Sequence, residues 1–445
     1  MKTLTQIAAE LAGYDPQALS AETVNAFLSK LVEPVTQTET VPIFQALGRV
    51  LAADIVSPIS VPPHDNSAMD GYAFTGAQLS EATPLTLQVV GTALAGKAWS
   101  GTVTHGQCVR IMTGAIMPEG LDTVVPQELV TVTGDQVTLP AGILNAGDNR
   151  RFKGEDLMQG QPALQKGEFL TPAALGLVAS LGIKTIPVLR RLKVAYFSTG
   201  DEILSLGEAP REGAVYDSNR YTVFGLLTRL GCEVMDMGVV RDQPELLEAA
   251  FTQAALQADV IITSGGVSVG EADYTKAMMK KLGDVAFWKI AMRPGRPMAV
   301  GQISREKLAA SQDKTCADSY TFNSNENTPA ILFGLPGNPV AVMVTFLAFV
   351  RPALLRMMGS TASAPPLLKA CSCEPIRKKP GRTEYQRCTV STAPDGSLQV
   401  KTTGNQGSGV LSSMVHANGL MVLHHTQGNV AVGDVVDVMM FDGVI

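Results

Sequence analysis

The chain has 445 residues, room for about three domains of ordinary size and a large buried core. With 45% apolar and 17% charged residues it is not a disordered chain. Its net charge of −6, from 35 Lys+Arg against 41 Asp+Glu, lacks the footprint of a duplex-binding protein and leaves room only for a local basic pocket. Aromatic residues, at 5%, are too few for stacking on bases to dominate recognition.

From the amino end, residues 1–17 carry one lysine and no continuous apolar run, so no signal peptide is expected. Residues 23–53 mix helical runs with prolines, and the proline-rich Ser57–His64 fits neither a helix nor a central strand. Between about residues 75 and 150 the pattern changes to short alternating runs (Leu85–Val90, Cys108–Met112, Asp122–Val125, Gln136–Leu139), which predict a β-rich module. Thr171-Pro172 opens a helix that Gly182 stops.

From Leu192 strands and helices alternate. Strands are expected at Leu192–Phe197, Cys232–Met237, Asp259–Thr263, Val285–Ile290 and Ile331–Leu335. Helices are expected at Ser218–Leu230, at Gln243–Leu256 with Asp242 as its cap, near Tyr274–Leu282, and after Pro339. Repeated βα units with nearly unbroken apolar strands predict a doubly wound, mostly parallel sheet covered on both faces. Gln302–Ala330 interrupts the pattern; its 29 residues include 12 Ser, Thr, Asn or Gln, which predicts an exposed loop. After Ser360, short strands between Gly and Pro turns predict a small all-β domain. The best apolar stretch, Val340–Val350, is far short of a membrane span. Six scattered cysteines give no disulfide framework, and Cys371-Ser-Cys373 has no second metal-ligating pair nearby, so a cytoplasmic protein without a transition-metal site is expected.

In a parallel sheet ligands bind beyond the carboxyl ends of the strands. Four loops end up there: Ser198–Glu202, Gly238–Asp242, Ser264–Asp273 and Leu335–Pro339. Any one of them is ordinary turn chemistry; four on one edge point to a site. Ser264-Gly-Gly-Val-Ser-Val-Gly270 has the glycines of an anion loop, yet it is neither a Walker A loop nor a dinucleotide fingerprint. Asp201, Glu202, Asp242 and Asp273 bring carboxylates that suit Mg²⁺, although Asp201 and Asp242 also read as helix caps or turn formers. Lys289, Arg293 and Arg296 stand within eight positions among Pro and Gly and suit a dianion, or form a solvated charged face. The few histidines are remote from these loops, so metal-assisted phosphoryl chemistry fits better than acyl transfer.

Several motifs together resemble a known family: Asp65–Ala73 (DNSAMDGYA), Arg110–Gly114, Gly154-Glu-Asp156, Phe197–Glu202, Ser264–Tyr274, Leu335–Pro339 and Thr403–Ser408. In that order, from about residue 20 to the end, they are similar to the MoeA-type molybdopterin molybdenumtransferases, which are related to the carboxyl-terminal domain of gephyrin. The resemblance implies insertion of molybdate into adenylylated molybdopterin with release of AMP, helped by Mg²⁺. It implies a homodimer with transient contacts to other molybdenum cofactor biosynthesis proteins, and no nucleic-acid or membrane partner. It implies an elongated domain from residues 1–58 and 161–191, a β-rich insertion 59–160, an α/β domain 192–362 and a carboxyl-terminal β-barrel 363–445.

By the same resemblance the catalytic acids are Glu202, Asp242 and Asp273, which also hold the metal, with Asp70 and Asp156 joining them. Thr113 and Arg151 face the cleft from the partner's β-rich domain. Ser264, Gly265, Gly266, Ser268, Lys289, Arg293, Pro336, Pro339, Arg387 and Ser408 bind substrate. Two departures stand out. Arg293-Pro-Gly-Arg-Pro297 replaces the family's usual Lys-Pro-Gly-Lys-Pro, putting a planar fork where a point charge is usual, and Gln302–Ala330 is longer than the family's connection there. Alternatives to insertion are a molybdopterin adenylyltransferase, a non-enzymatic dimeric scaffold, or a tungstate-specific relative.

Overall fold

A computed structural model describes residues 2–266, 274–306, 308 and 328–442. Its central sheet has six strands in the spatial order Glu233–Val240, Lys193–Thr199, Val260–Ser264, Ala330–Leu335, Pro297–Ile303 and Gly283–Lys289. The first four run parallel. Pro297–Ile303 is antiparallel to both of its neighbours, so the parallel sheet carries a β-hairpin on one edge. Sequence patterning does not pick out this strand, because Pro297 and Gly301 break up its apolar run.

Alternate strand residues feed two cores, as a doubly covered sheet requires. Val194, Tyr196, Val260, Ile262, Ile331 and Phe333 pack with the helices Ser218–Leu230 and Pro339–Thr345 and with the amino-terminal helices Leu4–Ala9 and Ala21–Leu31. Ala195, Phe197, Ile261 and Leu332 pack on the other side against Pro244–Gln257 and Tyr274–Leu282, where Phe197 and Phe251 meet edge-to-face at 5.0 Å.

Local signals set most helix ends. Thr171 accepts a hydrogen bond from the Ala174 N–H with Pro172 in the first turn, as expected. Asp217 caps Ser218–Leu230 by accepting from the Arg220 N–H, and Gly231 ends that helix in the left-handed region at φ +85°. One expectation fails: the residue capping Pro244–Gln257 is Gln243, without a side-chain bond, so Asp242 is not the helix cap. Another is refined. The apolar helix runs on from Pro339 through a π-turn at Phe346–Val350 and continues at Arg351–Met357. Its 19 residues would suffice to cross a membrane by length and composition, but 78% of the apolar window is buried inside the protein. The start of the expected exposed loop is packed as well: Gln302 and Ile303 belong to the hairpin strand, and Arg305 is buried, donating to the Ala255 and Ala258 carbonyls.

Two ribbons, Thr38–Pro42 with Thr185–Leu189 and Ile55–Val56 with Pro162–Leu164, tie residues on either side of a six-stranded β-rich module spanning Gly71–Leu139. At the other end of the chain, Thr383–Thr392, Leu398–Thr402, Leu368–Ser372, Val435–Met440 and Gly419–Leu423 pair in that order. The last pairs back with the first and closes a five-stranded barrel that leaves no free edge. Met292–Arg293, from the hairpin loop of the central sheet, pairs in parallel with Thr383–Glu384 and stitches the sheet to the barrel.

Gly231→Ala tests the helix stop. A left-handed alanine costs about 1–2 kcal/mol, and its Cβ would stand 3.0 Å from the Gly48 carbonyl oxygen. The urea midpoint should fall accordingly; an unchanged midpoint would show that the helix end is free to rearrange.

Candidate active site

At the carboxyl edge of the sheet the central loop is built on a buried hydroxyl cluster. The Ser264 Oγ lies 2.7 Å from the Tyr196 Oη and 3.2 Å from the Ser198 Oγ, and Tyr196 also reaches Ser198 at 2.9 Å. Burial pushes the Tyr196 phenol well above its usual range, so it stays a neutral partner. Asn219, in the first turn of Ser218–Leu230, donates to the Gly337 carbonyl at 2.7 Å and to Ser264 at 3.4 Å. One amide thereby joins the Ser264 loop to the Leu335–Pro339 loop. Ser264 is consequently turned inward with 2% exposure, and its hydroxyl is not presented to a ligand.

Gly265 and Gly266 follow at φ +91° and +63°. A Cβ on Gly265 would stand 2.4 Å from the Thr199 carbonyl oxygen, so only glycine allows the loop to lie this close to the neighbouring strand end. The Thr199 and Thr275 hydroxyls beside the two glycines are buried without a partner among the described residues. Ser268 and Asp273 lie outside the described residues.

The acids come from adjacent strands. Asp201 and Glu202 follow Lys193–Thr199, and Asp242 follows Glu233–Val240. Asp201 and Asp242 are neighbours, the Asp242 N–H lying 3.4 Å from the Asp201 Oδ1. Arg211 and Arg241 both donate to the Asp201 carbonyl and hold that turn. Among the described residues no group of three or more His, Cys, Asp or Glu side chains is arranged to hold a metal ion.

The cations approach from the hairpin and the barrel. Lys289 ends Gly283–Lys289 with its side chain exposed, and Arg293 sits on the short strand paired with the barrel. Arg387 is fully buried. Its Nε donates to the Ser413 Oγ at 2.9 Å, and its Nη atoms donate to the carbonyls of Asn405 (3.1 Å), Gln406 (3.3 Å) and Gly407 (2.8 Å). Burial first, and the nearby Arg293 charge second, push its pKa down to about 10. The loop it clamps ends at Ser408, whose carbonyl accepts the Val340 N–H at 3.1 Å. The barrel loop therefore touches the first turn of the helix that begins at Pro339. Pro336 is buried behind that turn. The Arg387-clamped loop is thus bonded through Ser408 to Val340, and the loop before that helix is bonded through Gly337 and Asn219 to Ser264.

Asp70, Thr113, Arg151 and Asp156 form a second group. The Thr113 N–H and Oγ1 both bond Asp70 Oδ1 at 2.7 Å, and these two bonds, the backbone one first, hold the Asp70 pKa below its usual value. Asn66–Ser67 pairs with Arg150–Arg151, and Gly114 donates to the Ser67 carbonyl, which brings Arg151 to the same end. The Asp156 N–H bonds the Val61 carbonyl nearby. Among the described residues no hydrogen bond or ion pair links residues 59–160 to residues 192–442. One chain thus holds two separate groups of site candidates.

Asn219 is the contributor that sequence reading omits. It follows a two-residue strand, Val215–Tyr216, too short to mark a strand end, although Asp217-Ser-Asn219 opens a helix on the same edge.

Comparison with known proteins covers nearly the whole chain. Residues 19–182 match the MoeA N-terminal region (domain I and II), 195–356 a probable molybdopterin binding domain, and 369–441 the MoeA C-terminal region (domain IV). The molybdopterin molybdenumtransferase of Haemophilus influenzae is 41% identical over 94% of this chain and 98% of its own length. That of Nostoc sp. is 34% identical over 92% and 91%. The crystal structure of the molybdopterin biosynthesis moeA protein from Pyrococcus horikoshii OT3 superposes with a TM-score of 0.75 at 26% identity, covering 95% of this chain and all of that one.

Arg387→Lys keeps the charge but cannot serve Ser413 and three carbonyls at once. Orphaning these buried acceptors should cost about 2 kcal/mol or more. The thermal midpoint should drop, and amide exchange should accelerate at residues 404–408. Unchanged exchange there would show that the loop holds its shape without the clamp.

Proposed function

The chain belongs to the molybdopterin molybdenumtransferase family, and on that premise we propose that it inserts molybdate into the dithiolene of adenylylated molybdopterin, releasing AMP and yielding the molybdenum cofactor. The observation that carries this reading is the joint between sheet and barrel. Arg293 pairs on the barrel strand that holds Arg387, and the Arg387-clamped loop meets the helix start at the sheet edge. Molybdate is a dianion, and Lys289 and Arg293 supply positive charge on a segment fixed by main-chain hydrogen bonds. The Gly265–Gly266 turn lets the backbone come close to a phosphate, and the helix beginning at Pro339 offers it a favourable dipole.

In this reading Arg387 acts on substrate through the loop that carries Ser408. Ser264 likewise acts by holding the glycine turn in place. Glu202 and Asp242, with Asp273, are hard oxygen donors of the kind Mg²⁺ takes, and they are the residues that would hold it. When bound, that ion supplies charge neutralisation at the phosphates of the adenylylated substrate. Asp242, beside Asp201 at the sheet edge, is the acid this reading assigns to the reaction from this chain.

The second group of residues supports a homodimer. Asp70 and Thr113 are bonded to each other, Arg151 and Asp156 are fixed by main-chain bonds within the same module, and among the described residues no hydrogen bond or ion pair ties that module to residues 192–442 of the same chain. A partner copy would bring them to the cleft.

Purified protein given adenylylated molybdopterin and Mg²⁺ should release AMP only when molybdate is present, and Asp242→Asn should slow release by about a hundredfold or more. Tight pterin binding without AMP release under either condition would sink the transferase reading. For the dimer, mixing the separately inactive Asp70→Asn and Asp242→Asn proteins should restore part of the activity, because one mixed cleft is intact. Mixtures as inactive as their parents would place all the acids in one chain.

A further inference from the structure

The residues before Leu19 lie outside the family match, yet they are bonded to the segment that carries the cations. The hairpin strand Gly283–Lys289 pairs on one side with Pro297–Ile303. On its other side runs the amino-terminal arm. The Leu4 N–H donates to the Asp284 Oδ2 at 3.1 Å, and the Trp288 Nε1 donates to the Tyr14 Oη at 2.9 Å. The Lys289 N–H donates to the Pro16 carbonyl at 2.8 Å, the Lys289 carbonyl accepts from the Leu19 N–H at 3.3 Å, and the Ala291 N–H donates to the Leu19 carbonyl at 2.8 Å. Both main-chain groups of Lys289 are thus held by the arm. One residue further on the barrel takes over, with the Thr383 N–H on the Ala291 carbonyl and Met292–Arg293 on the barrel strand.

The arm has its own anchors. Leu4 and Ile7 are buried in the large core. Trp288, 2% exposed, meets Phe27 edge-to-face at 4.9 Å, and Tyr14 stacks on the same ring at 5.8 Å. Aromatic packing therefore sets where the arm lies, while the Tyr14–Trp288 hydrogen bond sets its register one residue before Lys289.

We propose that the amino-terminal arm, residues 2–19, is a positioning element for the oxyanion, and that Tyr14, through Trp288, fixes the direction in which Lys289 is presented. This rests on the reading of Lys289 and Arg293 as the molybdate-binding cations. The arm bonds both the N–H and the carbonyl of Lys289, so it fixes the backbone directly beneath that cation as well as covering the strand edge. Misplacing a charge by a fraction of an ångström is costly where a small dianion must be held in attack geometry.

The test is the molybdate dependence of AMP release by the full chain. Tyr14→Phe keeps the ring and its stacking but removes the acceptor of the indole N–H. It should raise half-saturating molybdate about fivefold, roughly the value of one neutral hydrogen bond, with kcat and half-saturation by the adenylylated pterin unchanged. Trp288→Phe removes the donor together with part of the packing, so it should raise half-saturating molybdate at least as much, and adding Tyr14→Phe to it should bring no further change. The chain has two tryptophans, so in a Trp99→Phe background the emission of Trp288 should stay that of a buried indole in Tyr14→Phe, keeping the ring's packing separate from its register. Lys289→Met serves as the reference. If it raises half-saturating molybdate while both arm variants behave as wild type, the positioning role is overturned and the oxyanion site stands. If Lys289→Met is also normal, the oxyanion assignment falls and this proposal with it.

Discussion

The Arg387 guanidinium is buried among carbonyl oxygens and a serine hydroxyl, with no carboxylate paired to it among the described residues. Removing such a cation from water costs several kcal/mol, and carbonyl dipoles offset that cost only if the loop supplying them keeps one shape. Residues 405–407 are therefore bound to the geometry of the guanidinium, and Ser408 inherits its place from them. Because the Ser408 carbonyl receives the Val340 N–H, the barrel is registered against the first turn of the central sheet's longest helix. The cleft is thus a consequence of how one arginine is satisfied. Its positive charge also remains uncancelled, with Arg293 close enough to depress its pKa further, so an anion at this joint lowers the electrostatic energy of both.

Acids follow the carboxyl ends of the parallel strands, at Asp201, Glu202 and Asp242, with Arg211 and Arg241 bound to the Asp201 carbonyl, while Lys289, Arg293 and Arg387 come from the hairpin and the barrel. Between them lie neutral groups: the Tyr196–Ser198–Ser264 hydroxyls, the Asn219 amide and the glycine turn. The buried hydroxyls matter here through rigidity, since each is satisfied by its neighbours rather than by a ligand.

What the sequence revealed is what local chemistry dictates. The start of the helix at Thr171-Pro172, the extent of Ser218–Leu230 and its glycine stop were legible because capping depends on adjacent residues. So were the loops after the parallel strands. The strand Pro297–Ile303 was hidden because antiparallel pairing on both sides, not apolar continuity, makes it a strand. A helix after Pro339 was expected, but its extent was not legible. A π-turn at Phe346–Val350 places Pro352 in the first turn of a continuing segment, where its missing N–H costs little. Asp242 was read as a cap one residue too early. The roles of Arg387 and Asn219 were out of reach, since each depends on carbonyls far away in sequence.

The arginines of Arg293-Pro-Gly-Arg296 give the amino-terminal arm its meaning. A lysine ammonium is a compact charge whose position follows the backbone beneath it, and a guanidinium adds a demand on direction. A guanidinium offers a rigid fork, so its value for a tetrahedral oxyanion depends on the direction of the main chain that carries it. A chain that places arginine at both positions therefore gains more from fixing that main chain than one with lysines would. Here it is fixed twice, by the arm at Lys289 and Ala291 and by the barrel at Ala291 through Arg293. With both staples in place, the hairpin can turn in neither direction without breaking main-chain hydrogen bonds. The aromatic trio of Tyr14, Phe27 and Trp288 then sets the register of the arm-side staple.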